Sequence, residues 1–149
     1  MEKRDLIDRI FIAICALTLV SVFLPCNELD KVNNGITIPQ YSSILDGQAG
    51  FIHILLPVAA AFMIMIGKRV IASLIAFASV GFNAFSVYYF WDQGEYAVNT
   101  FAAGSKLSEF YRYAGYEGCT NINPFGFYLA VVAMSLLLLV AIVNLVIKE

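Results

Sequence analysis

Apolar residues gather into four long runs, at about 6–24, 51–66, 70–91 and 125–147. Two polar stretches, about 25–50 and 92–124, and a tight Gly67-Lys68-Arg69 turn separate them. A helix rises about 1.5 Å per residue and the hydrocarbon core of a bilayer is about 30 Å thick, so each run spans it or nearly does. The pattern predicts an all-α membrane protein, a single domain over residues 1–149 built as an antiparallel four-transmembrane-helix bundle. The two long polar stretches then meet on one side as a small extracytoplasmic cap.

Local signals refine this outline. Pro25 closes the first run, because it cannot continue a helix's hydrogen-bond ladder. In the first outer loop, Asn33-Asn34-Gly35 lies between Val32 and Ile36-Thr37-Ile38. Asn-Gly supplies the positive φ that both positions of a tight hairpin turn require, so a β-hairpin is expected here, with Pro39 confining its second strand to an edge. Pro57 is expected to kink the second run or end a short first turn of it.

The third run repeats small and weakly polar residues, Ala72, Ala76, Ser79, Asn83 and Ser86, at spacings of four and three. Membrane helices associate through small residues and interhelical hydrogen bonds. The stripe therefore predicts a helix-packing face, or, in a homo-oligomer, the lining of a narrow pore. Tyr88-Tyr89-Phe90-Trp91 forms an aromatic belt at the outer interface. In the second outer loop, residues 105–113 fit a short helix with Leu107, Phe110 and Tyr111 on one side. In the last run, Gly126, Ala130 and Ala133 permit close packing and Leu136–Leu139 are expected to face lipid. Asn144 is expected to bond across helices or reach the interface.

Composition agrees with this class: 60% of residues are hydrophobic, against roughly 45–50% in soluble domains. A net charge of −2 gives no electrostatic basis for a nucleic-acid partner. The distribution of charge says more than the sum. Lys3, Arg4, Arg9, Lys68, Arg69 and Lys148 fall on one side of the threaded runs, and Lys31, Lys106 and Arg112 on the other. The positive-inside rule then puts both termini in the cytoplasm and the chain in the cytoplasmic (inner) membrane. The outer loops carry Glu28, Asp30, Asp46, Asp92, Glu95, Glu109 and Glu117. They read either as solvated loops or as a cation-attracting vestibule. A basic start before an apolar run is also the form of a cleaved signal, but no small-x-small site follows and Pro25 directly precedes Cys26, so the first run reads as a retained helix.

Few residues offer chemistry. Cys15 lies inside the first run and reads as a small apolar residue. Cys26 and Cys119 fall one in each outer loop, where an oxidising face would join them as a structural disulfide; free thiols and pairing between subunits are the alternatives. A disulfide-generating quinone oxidoreductase would need vicinal cysteines, and no Cys-x-x-Cys is present. The single histidine, His53, sits near the outer end of the second run, with Asp46 or a loop carbonyl as its expected partner. One histidine without neighbouring ligands gives neither a haem nor a zinc site, so no metal or cofactor is expected. The runs carry no Asp, Glu, Lys or Arg between their ends, which speaks against a proton relay or voltage sensor. No phosphate-binding glycine loop, nucleophile elbow or carboxylate pair is found, so an enzyme is not expected.

Phe23-Leu24-Pro25 at the end of the first run and Gly126-Phe127-Tyr128 at the start of the last resemble the corresponding positions of small bacterial four-helix (tetraspan) membrane proteins. The resemblance covers the chain in topology and implies the four-span bundle but no substrate. The β-prone first outer loop also resembles that of claudins. It has one cysteine and no tryptophan where the claudin pattern has two and one, so no adhesion role is carried over. The expectation is a non-catalytic accessory, scaffold or regulatory subunit. It would meet the bilayer and a membrane-protein partner, or further copies of itself, through its helix faces and cap. A homo-oligomeric pore or membrane-perturbing effector is the first alternative, and a lipid or small-molecule binder using a pocket near Pro57 the second.

Overall fold

A computed structural model describes residues 3–47, 50–102 and 116–147. It contains α1 (Lys3–Phe23), β1 (Pro25–Asn33), β2 (Ile36–Ser43), a 3₁₀ turn (Ile44–Asp46), α2 (Gly50–Met65), α3 (Arg69–Ala102), β3 (Tyr116–Ile122) and α4 (Phe125–Val146). The helices pack as a ring in which α1 and α3 each touch both α2 and α4. Three helical stretches, Arg4–Phe23, Arg69–Tyr96 and Phe125–Val146, are long and apolar enough to cross a membrane. α2 is apolar but has 16 residues, about 24 Å of helix.

The two ends of the bundle differ in chemistry. At one end the termini meet the α2–α3 turn. Gly67 (φ 77°) terminates α2 there, with Lys68 N–H donating to Met63 O and Gly67 N–H to Ile64 O, the paired bonds of a Schellman motif. Arg69 forks onto Asp8 of α1 through Nε (3.1 Å) and Nη2 (2.7 Å). Asn144 Nδ2 of α4 reaches Ser73 Oγ (2.9 Å) and the Arg69 carbonyl (3.1 Å).

At the other end lies a three-stranded antiparallel sheet of order β2-β1-β3. The hairpin turn is Asn34-Gly35, both at positive φ (52° and 73°), between paired Asn33 and Ile36. Pro39 sits on β2, an edge strand, where its missing N–H leaves no ladder bond unmade. The third strand, β3, comes from the segment between α3 and α4, where no strand is expected from the sequence.

Three expectations need correction. α3 runs to Ala102, eleven residues beyond the apolar run. Hydropathy marks where lipid ends, and nothing between Asp92 and Ala102 stops a helix, since Gly94 alone costs only about 1 kcal/mol. Pro57 is buried inside a continuous α2 rather than ending a turn. Leu137 is fully buried, while Leu136, Leu138 and Leu139 stay exposed. The expected helix at residues 105–113 lies outside the described residues.

The Cys26–Cys119 disulfide is not formed. Cys119 pairs with Lys31, five residues along β1 from Cys26, which at ~3.3 Å per residue is about 16 Å away. A disulfide needs Cα atoms within about 7 Å. Cys26 instead occupies a β-bulge between Pro25 and Asn27 and turns inward beside Val22, Ile44, Val87, Ala130 and Met134. Its free thiol donates to Ser42 O at 3.3 Å. The bulge aims the side chain at the core, where sheet register alone would have spaced it along the strand.

Two predictions follow from this packing. A methyl group built on Gly126 would run into the Pro25 carbonyl oxygen, so Gly126→Ala should lower stability by about 1–3 kcal/mol, read as a lower thermal midpoint in detergent. Burial pushes the Cys26 thiol up to about 11, with a smaller contribution from Asp46 in the same direction. The folded state therefore holds this proton more tightly than the unfolded chain, and the associated stability is lost as pH rises from about 9 through 11. At pH 8 alkylation of Cys26, followed by peptide mass mapping, should run ~100-fold slower in the folded protein than after unfolding, in line with the smaller thiolate fraction.

Candidate functional site

The core is built in three layers. Near the termini, Phe11, Cys15, Ala60, Ile64, Ala72, Ala76, Leu137, Val140 and Ala141 form an apolar cluster. Below the sheet, Val22, Cys26, Ile44, Val87, Ala130 and Met134 form a second. Between them α1, α2 and α3 contribute buried polar groups: Thr18, Ser21, His53, Ser79, Asn83 and Ser86. Thr18 and Ser21 donate to carbonyls of their own helix, Ile14 O (2.9 Å) and Thr18 O (2.7 Å). Ser79 Oγ has no hydrogen-bond partner among the described residues, which leaves His53, Asn83 and Ser86 to bond one another.

They do so through His53. Its Nδ1 lies 2.6 Å from Asn83 Oδ1, and its Nε2 lies 3.1 Å from Ser86 Oγ. With the amide oxygen facing the ring, Nδ1 carries the proton and Nε2 accepts from the Ser86 hydroxyl. Asn83 and Ser86 are three residues apart, so both fall on the α3 face toward α2. His53 stands one turn into α2. Pro57, four residues on, has no N–H to offer the His53 carbonyl, which leaves the backbone of this turn less tied than the rest of the helix. Phe82 meets the imidazole edge-on at 6.4 Å between centroids. The imidazole is 2% exposed and Asn83 0%.

Beside this cluster opens a cleft of about 390 Å³. His53 and Ser86 form its polar floor, and Phe82, Phe85, Tyr89, Phe90 and Gly47 its walls. Among the described residues, no Asp, Glu, Lys or Arg lines it. Phe85 and Tyr89 stack at 6.4 Å with 22° between planes, and both remain substantially exposed. A second, apolar cavity of about 310 Å³ lies between α1 and α2, where Pro57 and Cys15 face Leu19 and Phe62.

The residues singled out from the sequence divide as follows. Ala72, Ala76, Ser79 and Asn83 are fully buried and Ser86 is 9% exposed, so the stripe faces the interior of its own bundle. Asp46 does not reach His53; it accepts from Ser43 N–H (2.5 Å) and Ser43 Oγ (3.0 Å) and closes the 3₁₀ turn. The sequence named His53, Asn83 and Ser86 separately, but no linear motif joins residues 30 and 33 positions apart. Of the cleft walls, Tyr89 and Phe90 belong to the aromatic belt expected at the interface, whereas Phe82, Phe85 and Gly47 carry no signal in the sequence. No group of three or more potential metal ligands occurs among the described residues.

No family model, curated protein or solved structure matches this chain.

The cluster generates a stability prediction. Asn83→Leu removes the acceptor for His53 Nδ1 and leaves a buried donor unpaired, at a cost of about 1–3 kcal/mol. Equilibrium unfolding should show that loss, whereas Ser135→Ala, which removes only an exposed hydroxyl bonded to Val131 O, should change stability little.

Proposed function

We propose that this chain is a four-span protein of the cytoplasmic membrane that works as an accessory or regulatory subunit by holding an amphiphilic ligand in the α2–α3 cleft. The observation that carries the reading is the cleft itself. A polar floor of His53 and Ser86 lies under aromatic walls, with no Asp, Glu, Lys or Arg among the described lining residues. Such a site suits a molecule with one small polar group and an apolar body, since a few placed polar groups in an apolar pocket fix orientation while the walls supply contact area.

The topology is part of the proposal. α2 is short for a full span, but Ile66 extends its apolar surface and Lys68 can snorkel to the headgroups. With α2 crossing, the end carrying Arg4, Lys68 and Arg69 is cytoplasmic by the positive-inside rule, and the sheet and cleft lie on the outer half. A homo-oligomeric pore finds less support. The Ala72-to-Ser86 stripe that would line it is used in packing within one chain.

Native mass spectrometry of the protein extracted in mild detergent tests this reading. A small apolar molecule should remain bound at one per chain, and Ser86→Leu, which fills the floor of the cleft, should remove it. Equal occupancy in wild type and Ser86→Leu would overturn the assignment.

A further inference from the structure

We propose that Ser86, His53 and Asn83 form a nucleophilic triad that accepts an acyl group from a single-chain lipid ester held in the cleft. The inference rests on the cleft being a lipid site and goes beyond binding. Three observations support it.

The first is the order of contacts. Ser86 Oγ is bonded to His53 Nε2 at 3.1 Å, and the opposite ring nitrogen to Asn83 Oδ1 at 2.6 Å. A serine nucleophile needs this arrangement: a base on the hydroxyl, and an acceptor behind the base that fixes its tautomer and ring orientation. Asparagine in the orienting position holds the ring as a neutral acceptor, the form that takes a proton. The second is placement. Ser86 and His53 are the two polar groups on the cleft floor, so a carbonyl carbon bound there meets the hydroxyl, not the back of the triad. Asn83, fully buried, does not line the cleft and acts only through His53. The third is the setting. The chain of bonds that begins at buried Asn83 ends at a cleft whose walls are aromatic, Phe82, Phe85, Tyr89 and Phe90.

The step balances as follows. Ser86 Oγ bonds to the acyl carbon and its proton passes to His53 Nε2. The acyl carbon–oxygen bond breaks, and the same proton leaves with the alcohol. Water then attacks the acyl-serine, gives its proton to Nε2, and releases the fatty acid as Ser86 recovers the proton. His53 is the general base and then the general acid; Asn83 is a positioning residue.

The test uses the full chain in lipid nanodiscs and dodecyl fluorophosphonate, which forms a serine–phosphorus bond with loss of fluoride. Peptide mapping should place the adduct on Ser86, and Ser86→Ala should abolish it. His53→Gln should slow labelling by ~100-fold or more. Asn83→Asp, which keeps an acceptor for Nδ1, should still label, whereas Asn83→Leu, which removes it, should slow labelling by ~10-fold or more. Labelling of the wild type needs no variant to fold, so the adduct on Ser86 is itself a test. No adduct on wild-type Ser86, or equal labelling of Ser86 in His53→Gln, would overturn the triad. If native mass spectrometry still shows one amphiphile per chain in that case, the triad falls and the binding site stands. If no amphiphile binds either, both fall.

Discussion

A leucine gains little by leaving lipid for another helix, because a lipid tail is as apolar as its neighbour would be. Helices in hydrocarbon are held instead by close backbone approach and by hydrogen bonds that lipid cannot offer. This chain is built on that constraint. Ala60, Ala72, Ala76, Ala130, Ala133 and Ala141 are all fully buried, while most Leu, Ile and Phe side chains of the helices point outward. Phe11, Ile64 and Leu137 are bulky exceptions that fill the centre. Polar contacts then fix the register at three heights. Asp8–Arg69 and Asn144–Ser73 hold one end, His53–Asn83–Ser86 the middle, and Asn27 Nδ2 to Phe90 O (3.0 Å) the sheet end.

Much of this was legible from residue order, because the same constraint governs the sequence. The apolar runs located the helices, the spacing of Ala72 to Ser86 located a packed face, and Asn34-Gly35 located the hairpin turn. What escaped has physical reasons. The end of α3 escaped because apolar length reports the membrane and not the hydrogen-bond ladder. β3 escaped because Tyr116–Ile122 becomes a strand only by pairing with β1, more than eighty residues earlier. The Cys26–Cys119 pairing was argued from shared location in the outer loops, yet a single bulge and a five-residue offset in register decide which cysteine goes where. The site was half visible. Each of its polar residues drew notice, but their mutual geometry depends on how α2 and α3 are rotated about their axes, and hydropathy does not carry that.

The middle layer also shows why a polar site can sit inside so apolar a chain. Neutral hydrogen-bonding groups cost far less in a membrane than charges do, and where they pair, as His53, Asn83 and Ser86 do, they specify a helix rotation. The network that orients α2 against α3 is the same one that floors the cleft. A change at His53 therefore alters helix packing and the cleft together.

The sheet has a consequence for how the protein is made. β1 belongs to the first helical pair, and β3 arrives only with the second, yet β1 is the central strand. When the first two helices and their hairpin have emerged, the inner edge of β1 is still open. It closes only when Tyr116–Ile122, the segment before α4, reaches it. In the proposed four-span topology, completion of the sheet therefore requires the last two helices to insert in the right sense. A copy in which they entered the wrong way, or whose synthesis stopped early, would carry an unpaired strand edge, which is open to pairing with other chains.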